Sequence, residues 1–570
     1  MTNKDIIKIL KTTVQLMELH DENPFKIRSF SNAVFNLEKL SLDVSSASKQ
    51  ELEGIDGIGK SIAASIDEIN REGRLEYLEA LLSKTPEGII AMLGIKGIGP
   101  KKIRVIWKTL DIDSIEKLQK ACEENQIATL KGFGKKTQDN IVEGLRYNEK
   151  NSGKLLYASI LPVAEGMKIE LENKFPEALV SFTGELRRKN EIINSIEILV
   201  GHAEYLKVPA FLNQQAYLEP DIKTSGPFSW RGVIKESGFP VIVRSCQIAS
   251  FYNNLLKHTG TTSHLSTKLE NGDNLLKILC TNKVISEENA YEIAGLPFVV
   301  PEMREGRDEF ILAAQKTLPE SLIEVEDIKG IIHNHSTYSD GKHSLRDMAV
   351  YCKELGFQYL GISDHSKTAY YANGLKEEKI LEQHAEIDSL NIELAPFKIF
   401  KGIESDILSN GDLDYADEIL ASFDFIVASV HSGFLTDISK NTERLLKAIR
   451  NPYTTILGHP TGRLLLKREG YPIDHKEIID ACAVHNVIIE INANPRRLDL
   501  DWRWINYALS KNVTISINPD AHSKEEYHNM KFGVAVGRKG GLTKEQTLNC
   551  WPLETVEKVL KQKKSILAAK

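Results

Sequence analysis

The chain has 570 residues, 42% of them hydrophobic and 26% charged, and a formal net charge of −7. A single core stops growing at about 250–300 residues, so three to five domains are expected, and the negative balance excludes a global basic field, leaving only local patches for nucleic acid. No apolar run approaches the ~20 residues of a membrane span, and six cysteines without a CxxC pair fit a reducing compartment, so a cytoplasmic, membrane-free monomer is expected.

From residue 5 to about 145 the pattern is helical, with Ile6, Ile9, Leu10, Val14 and Met17 recurring at three and four, and Gly/Pro punctuation between short helices. Three segments repeat one theme: LEGIDGIGKSIAASI (52–66), LGIKGIGPKKIRVIW (93–107) and LKGFGKKTQDNI (130–141). Each puts a Gly–apolar–Gly turn before a helix with Lys in its first turn. Glycine lets the backbone approach a phosphate, the helix start offers free N–H groups, and lysine completes the clamp. This is the logic of a helix-hairpin-helix element, which makes Gly57, Gly59, Lys60, Gly97, Gly99, Lys101, Lys102, Gly132, Gly134, Lys135 and Lys136 candidate DNA-backbone contacts. The second copy is the most electropositive, because Lys96, Lys101, Lys102, Arg104 and Lys108 have no acidic residue among them. A solvated basic face would explain any one copy; three with the same lysine placement favour DNA.

After a charged stretch containing Pro319, six runs of buried-strand character each end on polar residues: GIIHNHSTYSDG (330–341), YLGISDHS (359–366), KIFKGIESD (398–406), FIVASVHSG (425–433), TTILGHPTGR (454–463) and VTISINPDAHS (513–523). They carry nine metal-capable side chains: His333, His335, Asp340, His365, Glu404, His431, His459, Asp520 and His522. A lone histidine at a strand end is more often structural than a ligand, but six such ends within 190 positions are hard to credit to accident. β-Branched runs followed at once by a polar ligand are what barrel strands look like at their C-terminal ends. The absence of cysteine points away from a closed zinc site, and nine ligands exceed one ion's needs. They suit two or three divalent ions sharing a carboxylate, for which Glu404 is the candidate, and such clusters hydrolyse phosphoesters.

These motifs resemble those of the polymerase-and-histidinol-phosphatase (PHP) family, and their surroundings resemble the PHP domain of bacterial family X DNA polymerases over residues 327–563. The resemblance implies a distorted (β/α)7 barrel with a trinuclear Mn²⁺ or Zn²⁺ centre. His333, His335, Glu404 and Asp520 would hold one ion, Glu404, His431 and His459 a second, and Asp340, His365 and His522 the third. The implied activity is a 3′–5′ exonuclease that also acts at DNA 3′ ends and abasic sites, with Glu404 and Asp340 central. Arg463 and Arg497 follow ligand-bearing strands and could clamp a phosphate, or could serve as ion pairs closing the barrel.

TGELRRKNEIINSIEILVG (183–201), SFYNNLLKHTGTTSHLSTKL (250–269) and LPFVVPEMREGRDEF (296–310) make residues 1–315 resemble the family X polymerase core, which implies a multidomain α+β chain. The expected division is an 8-kDa-like helical domain (1–85), a fingers-like helix-hairpin-helix domain (86–150), palm (151–245), thumb (246–315), linker (316–328) and PHP domain (329–570). The catalytic part of the palm departs from the pattern. Where the family has two aspartates the chain has Ser195 and Glu197, and Ile242 stands for the third; the phosphate-cradling Gly-Ser reads Gly184–Glu185, and the Schiff-base lysine aligns with Ser65. Two Mg²⁺ need several carboxylates to neutralise a triphosphate, so no Mg²⁺ site is expected in the palm. The expected function is a DNA-binding 3′-end phosphoesterase on gapped, nicked or recessed DNA. The competing readings are a working gap-filling polymerase with a PHP exonuclease, a small-molecule phosphatase, and a non-catalytic DNA scaffold.

Overall fold

The computed structural model describes residues 2–568 apart from 40–43, 46, 56, 96–97 and 270–271. Gly97 therefore lies outside the described residues. The chain divides into two compact units, Met1–Ser152 and Gly153–Lys570.

The first unit is helical. Its opening helix, Asn3–Leu19, starts on a capping box in which Thr2 and Asp5 satisfy each other's backbone donors. The three-and-four spacing puts Ile6, Leu10 and Met17 inside, packed with Ile62, Ile66, Ile103 and Ile106 from the helices Lys60–Glu72 and Pro100–Leu110.

The second unit contains fourteen strands among the described residues: β1 (Leu155–Leu156), β2 (Leu179–Phe182), β3 (Ile192–Ile193), β4 (Ile196–Gly201), β5 (Leu218–Pro220), β6 (Ser229–Ile234), β7 (Pro240–Cys246), β8 (Gly330–Ile331), β9 (Tyr359–Ile362), β10 (Lys398–Asp406), β11 (Phe425–Ser429), β12 (Ile456–Leu457), β13 (Ile488–Asn492) and β14 (Ile515–Asn518). β1 and β3 form a small antiparallel ribbon, and a five-stranded sheet of order β2-β4-β7-β6-β5 makes the palm-like layer. Short helices follow, among them Phe251–Thr259 and Glu287–Ala294. Glu287 ties the second of these to the short helix Gly184–Arg187 that follows β2: it pairs with Arg187 at 2.5 Å and with the fully buried Arg304.

The last seven strands form one parallel sheet in sequential order, β8 to β14. It nearly closes into a barrel, since Asn334, just after β8, bridges in parallel to Ala521, just after β14, and the His335 N–H donates to the Ala521 carbonyl at 2.8 Å. Parallel strands covered by helices are buried on both faces, which is why they read as continuous apolar runs. At the N-terminal ends of the strands, Tyr359, Phe400, Phe425 and Ile488 pack with Val556 and Leu560 of the closing helix Leu553–Ala568. That plug leaves the opposite end, where the ligands sit, as the accessible mouth.

The expected linker is a packed connector. Ile323 is buried in the barrel's core and its N–H donates to the Leu542 carbonyl at 3.0 Å. Nearby, the buried ammonium of Lys539 donates to Asn190 Oδ1 at 2.8 Å and to the carbonyls of Arg188 and Glu302 at 3.2 Å, and pairs with Glu305. A buried charge persists only with such complete partnering, and here it pins palm-like and thumb-like segments to the barrel. Among the described residues no helix is long and apolar enough to cross a membrane.

Candidate active site

The barrel brings all nine expected ligands to one end. Glu404, carried inside β10, lies at their centre and is almost fully buried. Its Oε1 is 3.0 Å from His459 Nε2, 3.2 Å from His431 Nε2 and 3.4 Å from His333 Nε2. Its Oε2 is 2.9 Å from His365 Nδ1 and 3.6 Å from His335 Nε2. Asp520 stands 3.0 Å from His335 Nε2 and 3.5 Å from His333 Nε2, and Asp340 stands 3.3 Å from His522 Nε2 and 3.6 Å from His365 Nε2.

Three overlapping groups have ligand atoms within 4.8 Å of one another: His335, Asp340, His365 and His522; His333, His335 and Asp520; His365, Glu404 and His431. These groups differ from the three-ion partition expected from sequence: His335 and His365 each stand in two of them, Glu404 stands in one, and His459 stands in none although its Nε2 is 3.0 Å from Glu404. The donors fit divalent cations. His333 Nε2, His365 Nδ1 and Glu404 Oε2 face one another, buried and without an aligned hydrogen bond, and the rings of His335 and His522 stack at 4.2 Å. Unpartnered buried imidazole and carboxylate atoms facing one another are costly unless a cation lies between them. All-N/O ligation suits Mn²⁺ or Zn²⁺ alike.

Charge placement carries the same demand. Burial pushes His335 down to about 3, reinforced by His522 and His365. For His431 burial opposes the charged form, yet Glu404 and the Asp406 hydrogen bond raise it to about 10. Against its own burial, Glu404 is held well below the usual carboxylate range by His431, His333 and His365.

A supporting layer of polar residues, not expected from sequence, holds the ligands in place. Glu490 in β13 holds His333 Nδ1 at 2.6 Å, accepts the His459 backbone N–H at 2.8 Å and accepts from Asn518 at 3.0 Å. Asp406 holds His431 Nδ1 at 2.5 Å, and Asn492 donates to Asp520 Oδ2 at 2.9 Å. Buried Asp364 takes Ser336, Ser339 and Gln383, fixing the segment that carries Asp340. Carboxylates on the far ring nitrogen set the tautomer and orientation of a ligating histidine. A charge inside an apolar run, as in VIIEIN, is the sequence signal for Glu490.

Two expectations are refined by the backbone. His333 and His335 follow β8 rather than lying on it, and Asp520 adopts φ 51°, a left-handed conformation uncommon for a residue with a Cβ. The two arginines separate. Arg463 pairs with Asp501 and Glu191 and donates to the carbonyls of Arg497 and Leu498, so it ties the barrel to the residue just before β3. Arg497 Nε lies 3.7 Å from Asp520 Oδ2, at the edge of the metal cluster.

In the palm-like sheet, Glu197 of β4 is in register with Ile242 of β7, and its Oε2 pairs with Arg244 Nη1 at 2.6 Å. Ser195 Oγ donates to the other carboxylate oxygen at 3.4 Å. Of Ser195, Glu197 and Ile242, Glu197 alone is a carboxylate, and it is paired with Arg244.

In the helical unit, Gly59, Gly99 and Gly134 are the N-cap residues of Lys60–Glu72, Pro100–Leu110 and Lys135–Asn151, and none of these starts has a side-chain cap. Nothing lies within 4 Å of where a Cβ would sit on any of the three. Gly57 and Gly132 have φ of 77° and 84°, which explains glycine at the turns. Lys60, Lys101, Lys135 and Lys136 are exposed, and Lys102 is half-buried, its ammonium 5.7 Å from the Phe133 ring. Ser65, half-buried, donates its hydroxyl to the Ser61 carbonyl.

Three family models match the chain. Residues 1–75 match the helix-hairpin-helix domain, 89–147 the SAM-like helix-hairpin-helix tandem and 332–494 the PHP domain. Asp520 and His522 lie beyond that last match. The chain is 36% identical over 580 residues to the Bacillus subtilis (strain 168) DNA polymerase/3′-5′ exonuclease PolX, covering 99% of this chain and 100% of that protein. It is 29% identical over 189 residues to a probable phosphatase of Thermoanaerobacter sp. (strain X514), covering 30% of this chain and 74% of that protein. A probable phosphatase of Clostridium acetobutylicum is 31% identical over 172 residues, 28% of this chain and 63% of that protein.

Proposed function

Because the chain belongs to the PolX family of PHP-containing family X DNA polymerases, we propose that its catalytic work is hydrolysis of phosphodiesters at DNA 3′ ends by the barrel, and that its palm does not transfer nucleotides. One observation carries this reading: eight ligand-capable side chains gather with Glu404 at one end of the barrel, while of Ser195, Glu197 and Ile242 only Glu197 is a carboxylate, and it is paired with Arg244.

His333, His335, Asp520, Glu404, His431, His459, Asp340, His365 and His522 would hold two or three Mn²⁺ or Zn²⁺ ions. Such ions, when bound, lower the pKa of water and neutralise the phosphate. The chain's own residues do the rest. Glu404 joins the ligand groups and keeps them at fixed spacing. Asp340, half-buried at the mouth, is held far below the usual carboxylate range, against its own burial, by His522, His335 and His365, so it stays ionised as a ligand beside the leaving 3′ oxygen. Arg497 offers its guanidinium to a non-bridging phosphate oxygen. Glu490 and Asp406 keep His333 and His431 in the tautomer that presents Nε2. The helix-hairpin-helix turns grip the DNA backbone of gapped, nicked or recessed substrates without reading sequence. Cleavage at abasic sites is within the same chemistry.

The test is nuclease activity on a recessed 3′ end with Mn²⁺, comparing wild type, His333→Ala and Glu404→Ala, beside primer extension with Mg²⁺ and with Mn²⁺. Loss of at least about 100-fold in both variants and no extension is expected, since removing one member of a metal site typically disables it. Undiminished activity in both variants sinks the barrel assignment. Template-directed extension would instead support the second reading, a working gap-filling polymerase, which the name of the Bacillus relative favours.

A further inference from the structure

We propose that Tyr371 is the residue that recognises a nucleotide at this centre, by stacking its phenol ring on the 3′-terminal base of the DNA. The proposal rests on the reading of the barrel as a 3′-end nuclease, and adds what would separate DNA from a small phosphate ester.

The metal ligands can hold any phosphate. Discrimination must therefore come from the rim, and the rim carries an aromatic ring against the cluster. Tyr371 is 66% exposed, yet its ring centroid is 6.1 Å from that of His365 and 6.4 Å from that of His431, two histidines of the group around Glu404. Its hydroxyl is within electrostatic reach of Glu404, Asp406, Asp340 and Arg497. The ring thus lies beside two of the candidate ligands while most of the residue is open to solvent.

An exposed tyrosine alone would mean nothing. Its mounting is the second observation. The segment leaves the barrel just after His365 and returns at Leu375, whose N–H donates to the His365 carbonyl at 2.8 Å. Between these ends Thr368 is fixed by its N–H to Asp414 at 2.7 Å and by its hydroxyl to Asp406 and Asp414 at 2.9 Å, and the Lys367 N–H donates to the Tyr415 hydroxyl at 3.1 Å. Ala369 and Ala372 are buried. Gly374 passes so close that a Cβ there would sit 1.8 Å from the Ser366 carbonyl oxygen. An apolar ring held in water on so anchored a turn, beside a phosphate site, is pre-organised for a flat partner. Nucleobases stack on aromatic side chains whatever their sequence, which suits an enzyme that must accept every 3′ end. Tyr370, 83% exposed in the same turn, makes no ring contact with the ligands among the described residues and serves as the internal control.

The experiment compares wild type, Tyr371→Ala, Tyr371→Phe and Tyr370→Ala on two recessed duplexes, one with an ordinary 3′ nucleotide and one whose 3′ nucleotide lacks its base. Tyr371→Ala should lose about tenfold or more in kcat/KM on the ordinary end and change less than about twofold on the baseless one; Tyr371→Phe and Tyr370→Ala should match wild type on both. Fluorescence of a 2-aminopurine at the 3′ end, with Ca²⁺ replacing Mn²⁺, should be quenched on binding to wild type and Tyr371→Phe but not to Tyr371→Ala. Equal losses on both ends, no loss, or an impaired Tyr371→Phe overturns the stacking role. A wild type without nuclease activity overturns this proposal together with the function it rests on, whereas an active wild type with an unaffected Tyr371→Ala overturns this one alone.

Discussion

Glu490 holds the far nitrogen of His333 at 2.6 Å, and with its other oxygen accepts the backbone N–H of His459 at 2.8 Å. One buried carboxylate thereby aims two ligands on neighbouring parts of the barrel. Losing such a partner typically costs about 10–100-fold in metal affinity or activity. Glu490→Gln preserves shape but weakens both bonds, so metal titration should show Mn²⁺ or Zn²⁺ affinity down by about that factor. Nuclease activity should recover at raised Mn²⁺, and failure of excess metal to restore it would mean that Glu490 acts on more than ligand orientation.

The uncapped helix starts make a separate prediction. If Lys101 and Lys102 each meet a phosphate, each Lys→Ala change should weaken binding uniformly across DNA sequences. The slope of log K against log salt should fall by about 1 for each phosphate that the variant no longer neutralises. Fluorescence anisotropy over a salt series measures it. An unchanged slope in both variants would leave these lysines as solvated charge.

How legible the site was depends on the kind of interaction. His333, Glu404 and Asp520 were readable because each ends a β-branched run, and a barrel gathers all strand ends at one mouth. Their grouping was less so: that His335 and His365 each stand between two groups follows from loop paths after β8 and β9, which no spacing encodes. Arg463 and Arg497 looked equivalent in sequence, and only the chain's course toward Glu191 and Asp501 separates them. The helix-hairpin-helix turns were legible from the repeat of glycine with lysine, and positive φ at Gly57 and Gly132 explains the glycine. Docking of the palm-like and thumb-like segments through Lys539 was invisible, because a lysine buried by long-range folding reads locally as surface.

Gly402, in β10 two residues before Glu404, tests how tightly the barrel is filled. A Cβ there would sit 2.1 Å from the Phe425 ring, and 2.6 Å from the Ile362 carbonyl. Overpacking of this kind costs about 1–3 kcal/mol. Gly402→Ala should lower stability by about that amount in urea unfolding, with metal affinity falling as β10 shifts. A variant as stable as wild type would show slack around Phe425.

Glu302 gives the pH dependence of the contact between the thumb-like segment and the barrel. Burial opposes its ionisation, yet Lys189 at 2.9 Å and Arg538 at 2.9 Å hold it down to about 2 from the usual 4.5. A folded-state pKa below the unfolded one stabilises the fold above the unfolded value, and that contribution is lost as pH falls through the folded value. The difference corresponds to about 3 kcal/mol at neutral pH. Glu302→Gln should therefore be less stable than wild type by an amount of that order at pH 7, with the gap closing between about 4.5 and about 2. Urea unfolding of both proteins across that range measures the gap. A deficit that stays constant with pH would assign the loss to packing rather than to the ion pairs.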